Sequence, residues 1–407
     1  MSNVLPQGWE EKELKEFINF NPKETLKKGV IAKSIPMACL TEFCRNITKY
    51  EEKEFNSGMK FRNGDTLLAR ITPCLENGKT AYVDFLDKDE IAFGSTEYIV
   101  LREKKDVSDK KFIYYLSIST LFRDIAIKSM TGSSGRQRVQ NDVLFKEKFI
   151  IPSDINEQKR IADILSAFDD KIELNNQMNQ TLEDMATTLF KEWFENFNFP
   201  NEQGKPYKDN DGEMKSSVLG EIPIDWEVKY LKEIAEIIMG QSPKGRSYNE
   251  ENIGFPLING ASDFEGTLPK AKKYTTEPTK ISNDNDIVFG IRATIGNVVF
   301  LNKGYCLGRG VAAVRVTTQL LEFMFLLLKK EVDNLAQIAT GSVFANLTKS
   351  DLEKLKLVFP NKIILVEFSK IIKPIFEQIQ QNQQQNQTLK QQRDILLPKL
   401  MTGEKRV

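Results

Sequence analysis

The stretch from Asn156 to Phe197 constrains this chain more than any other. Spaced by threes and fours, Ile161, Leu165, Phe168, Ile172, Asn175, Asn179, Leu182, Ala186, Leu189 and Trp193 form a heptad seam. The seam is apolar except at its two adjacent Asn positions. Adding 207 to each number gives Phe368, Ile372, Ile375, Ile379, Asn382, Asn386, Leu389, Arg393, Leu396 and Leu400, so Asn stands at both matching places. Two copies of one such helix predict that they pair. In an antiparallel pair Asn175 faces Asn386 and Asn179 faces Asn382, because both pairs of numbers sum to 561. Buried Asn fixes register at a cost in stability, which suits a spacer of defined length. Two separate amphipathic helices, each on its own domain, are the competing reading, and the matched Asn residues weigh against it.

The repeat reaches beyond the helices. Leu5-Pro6-Gln7-Gly8-Trp9-Glu10 returns as Ile222-Pro223-Ile224-Asp225-Trp226-Glu227, and Ile35-Pro36-Met37 returns as Phe255-Pro256-Leu257. Gly64-Asp65-Thr66-Leu67-Leu68 is echoed by Asn285-Asp286-Ile287-Val288-Phe289. Thr131-Gly132-Ser133 is echoed by Thr340-Gly341-Ser342, and Asp142 by Asp351. The anchors keep their order while the offset drifts, the mark of one duplicated unit. Each copy reads as short strands, then a helix, then a closing strand. In the first copy the strands are at 30–40, 66–71, 80–85 and 98–101, with a helix at 110–129. The fold class is therefore mixed α/β or α+β: two similar domains separated by a pair of long antiparallel coiled-coil helices, with an internal pseudo-two-fold repeat. The boundaries fall at 1–152 for the first domain, 153–198 for the first helix and 199–220 for a linker. The second domain is 221–360, and 361–407 holds the second helix and a C-terminal tail. Pro374 is expected to kink the second helix or to lie near a break in its first turns.

Net charge is zero over 407 residues, so any nucleic-acid surface must be local. The first residues lack an apolar signal core, and the longest apolar run is too short to span a bilayer. Four Cys without metal-type spacing fit a reducing, cytoplasmic setting and read as plain thiols. There is no His. That excludes Ser-His-Asp and Cys-His nucleophile systems, and Cys/His zinc sites, within this chain.

Other catalytic signatures are decoys. Asp154, Glu157 and Lys159 echo a nuclease set, but they open a helix, where acidic and capping residues are favoured. Gly240-Gln241-Ser242-Pro243-Lys244-Gly245 lacks the phosphate-loop pattern. No dinucleotide fingerprint and no Asn/Asp-Pro-Pro-Tyr/Phe run appears. What remains is recognition chemistry: side chains that position on phosphate and read base edges, clustered with Gly in loops. In the first domain they are Arg70, Thr72, Lys79, Ser133, Ser134, Arg136, Gln137 and Arg138. In the second they are Gln241, Ser242, Lys244, Arg246, Tyr248, Arg292, Arg309 and Asn346. Any one of these taken singly reads as a solvated surface residue. Their recurrence in corresponding loops carries the argument. No metal-binding set is expected.

Along essentially its whole length the chain resembles the specificity subunits of type I restriction-modification systems. The resemblance rests on the Leu-Pro-x-Gly-Trp-Glu opening at 5–10 with its echo at 222–227. It rests also on Gly64 to Arg70, Asn285 to Gly290 and Gly240-Gln241-Ser242-Pro243. Ile151-Pro152 followed by Glu157-Gln158-Lys159-Arg160-Ile161-Ala162, and Phe197-Asn198-Phe199-Pro200 with Gly204-Lys205-Pro206-Tyr207, are its most specific motifs. The second helix departs, with Leu365-Val366-Glu367-Phe368 in place of the Glu-Gln-Lys signature. The resemblance implies two target-recognition domains, each on one half of a split, asymmetric double-stranded DNA site, with the helices as a ruler. It implies two methyltransferase subunits as partners, carrying S-adenosylmethionine, and a motor-nuclease (restriction) subunit using ATP and Mg. No cofactor and no catalysis are expected in this chain. The alternatives are a self-contained DNA nuclease or methyltransferase, or a non-DNA interaction scaffold.

Overall fold

The computed structural model describes residues 5–133, 135–265, 268–292, 295–339 and 346–407. Ser134, Thr340, Gly341 and Ser342, named above, lie outside them. The chain divides into two compact units, Met1–Gln177 with Gln381–Val407, and Met178–Gln380.

In the first unit, strand Trp9–Glu13 pairs antiparallel with Lys148–Pro152 and ties the two ends of the domain together. A four-stranded antiparallel sheet runs Ile18–Phe20, Tyr98–Glu103, Thr66–Ala69, Thr80–Tyr82. Successive side chains leave a strand on opposite faces. Accordingly Leu68, Ile99 and Leu101 join Phe112, Tyr115 and Phe122 under the helices, while Leu67, Ala81 and Val100 join Ile35 and Phe61 on the other side. Both faces are buried, which is why these strands read as continuous apolar runs rather than alternating ones. A second sheet runs Glu51–Glu54, Ile31–Ile35, Ala92–Gly94, Met59–Phe61, with one parallel pair between Ile31–Ile35 and Ala92–Gly94.

The second unit repeats this plan. Its first sheet runs Glu236–Met239, Val311–Arg315, Ile287–Gly290, Gly296–Phe300. Its second contains the matching parallel pair, Phe255–Ile258 with Cys306–Leu307. Val288, Val299 and Ala313 take one side of the first sheet, and Phe289, Phe300 and Val314 the other.

The repeated Asp of the Gly-Asp-Thr-Leu-Leu motif has a structural cause. Asp65 accepts two bonds from Arg102, Nε at 2.6 Å and Nη2 at 2.7 Å, and one from the Arg62 backbone N–H at 2.8 Å. Asp286 accepts the same three, from Arg315 Nε and Nη2 at 2.8 and 2.9 Å and from the Asn283 N–H at 2.8 Å. A second carboxylate completes each cluster, Glu24 on Arg102 at 2.6 Å and Glu236 on Arg315 at 3.1 Å. Both Asp residues are fully buried.

One predicted element differs. The stretch 110–129 is two helices, Lys110–Ile118 and Thr120–Lys128. Ser119 is extended, its hydroxyl donates to the Leu116 carbonyl, and it accepts from the Phe122 N–H. A Ser side chain offers the backbone this alternative to helix, and here it caps the second helix.

The two long helices are Ile155–Phe194 and Lys362–Met401, each of 40 residues. Asp154 caps the first, accepting from the Asn156 N–H at 2.9 Å, so this acidic residue opens a helix as expected. The second runs through Pro374 without a break. Pro374 lacks an N–H and costs a helix about 3 kcal/mol. It lies on the exposed face, while Ile372 and Phe376 on either side are buried in the apolar core of the unit.

Within the first unit the helices run antiparallel. Ile161 and Leu165 share a core with Leu397, Leu400 and Met401. Asn175 Nδ2 donates to Asn386 Oδ1 and to Gln385 Oε1, both at 2.8 Å, and Asn386 donates back to Asn176 at 2.9 Å. Within the second unit Phe190, Trp193 and Phe194 pack on Phe368, the last ring edge-on at 4.7 Å, and Asn179 donates to the Ile379 carbonyl at 3.5 Å. Ile172, Asn175, Asn179, Phe368, Ile372, Ile379, Asn382 and Asn386 are buried, and Phe168, Leu182, Leu189, Ile375 and Leu389 are half-buried.

The Glu157-Gln158 pair fastens the first helix to its domain. Glu157 accepts from the Trp9 indole N–H at 3.1 Å and pairs with Arg406 at 3.3 Å. Gln158 is fully buried and makes three bonds to backbone: it accepts from the Asp109 N–H and donates to the Val107 and Pro152 carbonyls. In the second copy, Ile364 and Leu365 stand at the matching positions. Trp226 is instead packed by Phe194, Phe197 and Phe199, and its indole N–H has no partner among the described residues. Gln158→Leu copies the second unit's residue but leaves three backbone groups unmet, one buried and two part-buried. We expect it to cost roughly 2–4 kcal/mol in urea denaturation. A cost under about 1 kcal/mol would mean these bonds do not hold the helix to the domain.

Candidate nucleic-acid interface

In the first unit the fold brings the two candidate loops together. Arg70 leaves the strand Thr66–Ala69, and Ile71 forms a bridge with Arg138. The Thr72 N–H donates to the Gln137 carbonyl, the Gln137 N–H to Thr72 Oγ1, and the Val139 N–H to the Arg70 carbonyl, at 2.9–3.0 Å. The turn before Arg138 is held by the Arg136 N–H on the Ser133 carbonyl. Its Gly132 has φ +132°, where any Cβ would stand 3.0 Å from the Arg136 oxygen. Ser133 and Arg136 are exposed.

A residue that periodicity did not reveal sits at this seam. Glu97 accepts from Arg138 Nε at 3.0 Å and from its Nη2 at 2.7 Å, and lies 3.6 Å from Arg70 Nε. Its backbone carbonyl accepts from the Arg70 N–H. The Arg138 bonds hold the Glu97 carboxyl below its ordinary value, and the same bonds raise Arg138. Lys79, by contrast, turns inward to donate to the Met37 carbonyl at 3.0 Å.

The second unit has the same backbone stitch. Arg292 bridges Asn346, the Leu347 N–H donates to the Ile291 carbonyl, and the Ile291 N–H donates to the Gly310 carbonyl. The Gln241 N–H donates to the Leu307 carbonyl, and Ser242 Oγ accepts from the Arg309 N–H at 3.4 Å. Gly240 is required there: a Cβ would stand 2.1 Å from the Gly308 oxygen. Thus Gln241, Ser242, Arg292, Arg309 and Asn346 gather on one loop cluster. Lys244, Arg246 and Tyr248 lie on the turn that follows, with Arg246 3.8 Å from Glu277.

The two clusters share a frame and differ in every side chain. Arg70, Ile71, Glu97 and Arg138 correspond in the stitch to Ile291, Arg292, Gly310 and Asn346. No carboxylate pairs with Arg292 or Arg309 among the described residues. Lys23 has a counterpart in the second copy. It is exposed in Asn21-Pro22-Lys23, which matches Ser242-Pro243-Lys244 in the second copy. Among the described residues no group of His, Cys, Asp or Glu is placed to hold a metal, and no helix is long and apolar enough to cross a membrane.

Comparison with known proteins accords with this duplicated, recognition-type architecture. The model of the type I restriction modification DNA specificity domain matches residues 6–184 and again 223–391. The chain therefore belongs to the type I restriction-modification DNA specificity family, the specificity rather than the catalytic subunits of those systems. It is 29% identical over 314 residues to the type I restriction enzyme MjaIX specificity subunit of Methanocaldococcus jannaschii, covering 74% of this chain and 71% of that one. It is 27% identical over 414 residues to the type I restriction enzyme HindI specificity subunit of Haemophilus influenzae, covering 84% and 87%. The fold is that of the crystal structure of a type I restriction-modification system S subunit from M. genitalium, with a TM-score of 0.57 over 98% of this chain and 97% of that one, at 17% identity.

Proposed function

We propose that this specificity subunit reads a split, asymmetric site on double-stranded DNA, each domain contacting one half through its stitched loop pair. The observation that carries this reading is the duplicated frame bearing different side chains. Equal frames present loops in equivalent ways, and unequal loops select unequal bases. The domains at 1–152 and 221–360 act as the target-recognition domains, and 153–198 and 361–407 as the spacer helices. Arg70, Thr72, Ser133, Arg136, Gln137 and Arg138 serve one half-site. Gln241, Ser242, Lys244, Arg246, Tyr248, Arg292, Arg309 and Asn346 serve the other. Phosphate contacts position such loops and base contacts specify. The internal repeat suits two equivalent methyltransferase subunits, and through them the restriction subunit. S-adenosylmethionine, ATP and Mg act on those partners, in the cytoplasm.

The test is a methylation map. The methyltransferase subunit of the same system is expressed with and without this chain, and modified adenines are read by single-molecule sequencing. A gapped two-part motif appears only when the chain is present. Arg292→Ala then relaxes one half of the motif and leaves the other unchanged. Methylation at the same sites without the chain would assign it a scaffold role instead.

A further inference from the structure

We propose that Arg138 reads a guanine in the first domain's half-site, and that Glu97 is the positioning residue that aims it. This rests on the DNA-reading function proposed above and deepens it.

A guanidinium has five N–H groups in a fixed planar fork. Glu97 engages one edge of Arg138, the Nε–H and one Nη2–H. The opposite end, both N–H groups of Nη1 and the second of Nη2, makes no hydrogen bond among the described residues, and the side chain is 41% exposed. Those two nitrogens are the pair that can donate together to O6 and N7 of guanine in the major groove. The carboxylate removes the rotamer freedom that a long side chain would otherwise lose on binding. It also offsets the positive charge, so Arg138 is less suited to a bare phosphate contact than the exposed Arg136. Arg70 lies against the same carboxylate on its other side, so the loop pair is braced from both directions. The second unit has Gly310 where Glu97 stands, and Asn346 where Arg138 stands. The guanine-reading device belongs to the first domain only, and Asn suits adenine rather than guanine.

The complex of this chain with its methyltransferase subunits is mapped as wild type, Glu97→Gln, Glu97→Asp and Arg138→Lys. Glu97→Gln keeps shape and removes the charge. Arg138→Lys keeps the charge and removes the fork. In wild type a guanine stands in one half-site. Discrimination at that position alone falls roughly tenfold or more in Arg138→Lys. It falls in Glu97→Gln as well and is largely kept in Glu97→Asp. The other half-site is unchanged throughout. If both variants leave every base preference intact, the inference is overturned. It is equally overturned if Arg138→Lys weakens binding evenly across sequences and leaves the salt slope unchanged, the behaviour of a phosphate contact whose charge is kept. If no motif depends on the chain even in wild type, the DNA-reading function itself fails, an outcome separable from the other two.

Discussion

Replacing Arg393 by Ala is expected to destabilise the first unit by about 3–5 kcal/mol in urea denaturation, because it strands a buried charge. Arg393 Nη1 lies 2.5 Å from Asp169 Oδ1, and both residues are more than nine-tenths buried. Tyr115 donates to the other Asp169 oxygen at 2.7 Å. Burial works against the Arg393 charge, and the Asp169 and Asp394 carboxylates more than reverse this, so its pKa is raised. The second unit shows what an uncharged version looks like. The positions matching Asp169 and Arg393 there are Phe376 and Ala186, both in its apolar core. A buried ion pair is often replaceable by apolar residues with little loss, whereas removing one partner is costly. The triple change Tyr115→Phe, Asp169→Phe, Arg393→Ala should therefore recover most of what Arg393→Ala alone loses. Should the triple variant be no better than the single one, lost packing rather than a stranded charge would be the cause.

Asp65→Ala is expected to cost about as much, roughly 3–5 kcal/mol, and Asp286→Ala less, roughly 1–3 kcal/mol. The bonds made by the two carboxylates match one for one. The difference lies in the arginines left behind. The Arg102 side chain is 10% exposed and would keep only Glu24, whereas the Arg315 side chain is 30% exposed and water can solvate it. Denaturation of the two single variants side by side decides the matter. Equal losses, or a larger loss for Asp286→Ala, would show that burial of the arginine does not set the cost.

The helices were legible because a helix writes its packing into the sequence at a fixed period, and buried Asn residues are conspicuous on an apolar seam. The strands were legible as apolar runs, but which strand neighbours which in a sheet was not, because no local period encodes it. Ser119 was not: a helix-compatible sequence on both sides conceals a hydroxyl that caps a new helix. Glu97 was invisible for another reason. It meets Arg138 across 41 residues, through a stitch between loops that no local period encodes. Arg102 and Arg315 could have been found by aligning the two copies, since each lies near the end of the strand that pairs with the one following the Asp. Asp169 was hidden because it meets Arg393 across 224 residues, off the seam that the period picks out.

The Asn175–Asn386 bond has a consequence for how such a helix pair can vary. Sliding one helix along the other by a heptad, about 10.5 Å, would set Asn175 opposite Ile379 or Arg393. Its amide would then face an apolar branch or a cation, with no matching amide to bond. The polar layer thus works as a detent: a heptad slip in either direction leaves the Asn175 amide without its amide partners. Within the first unit the polar layer therefore fixes the phase of the two helices as well as joining them.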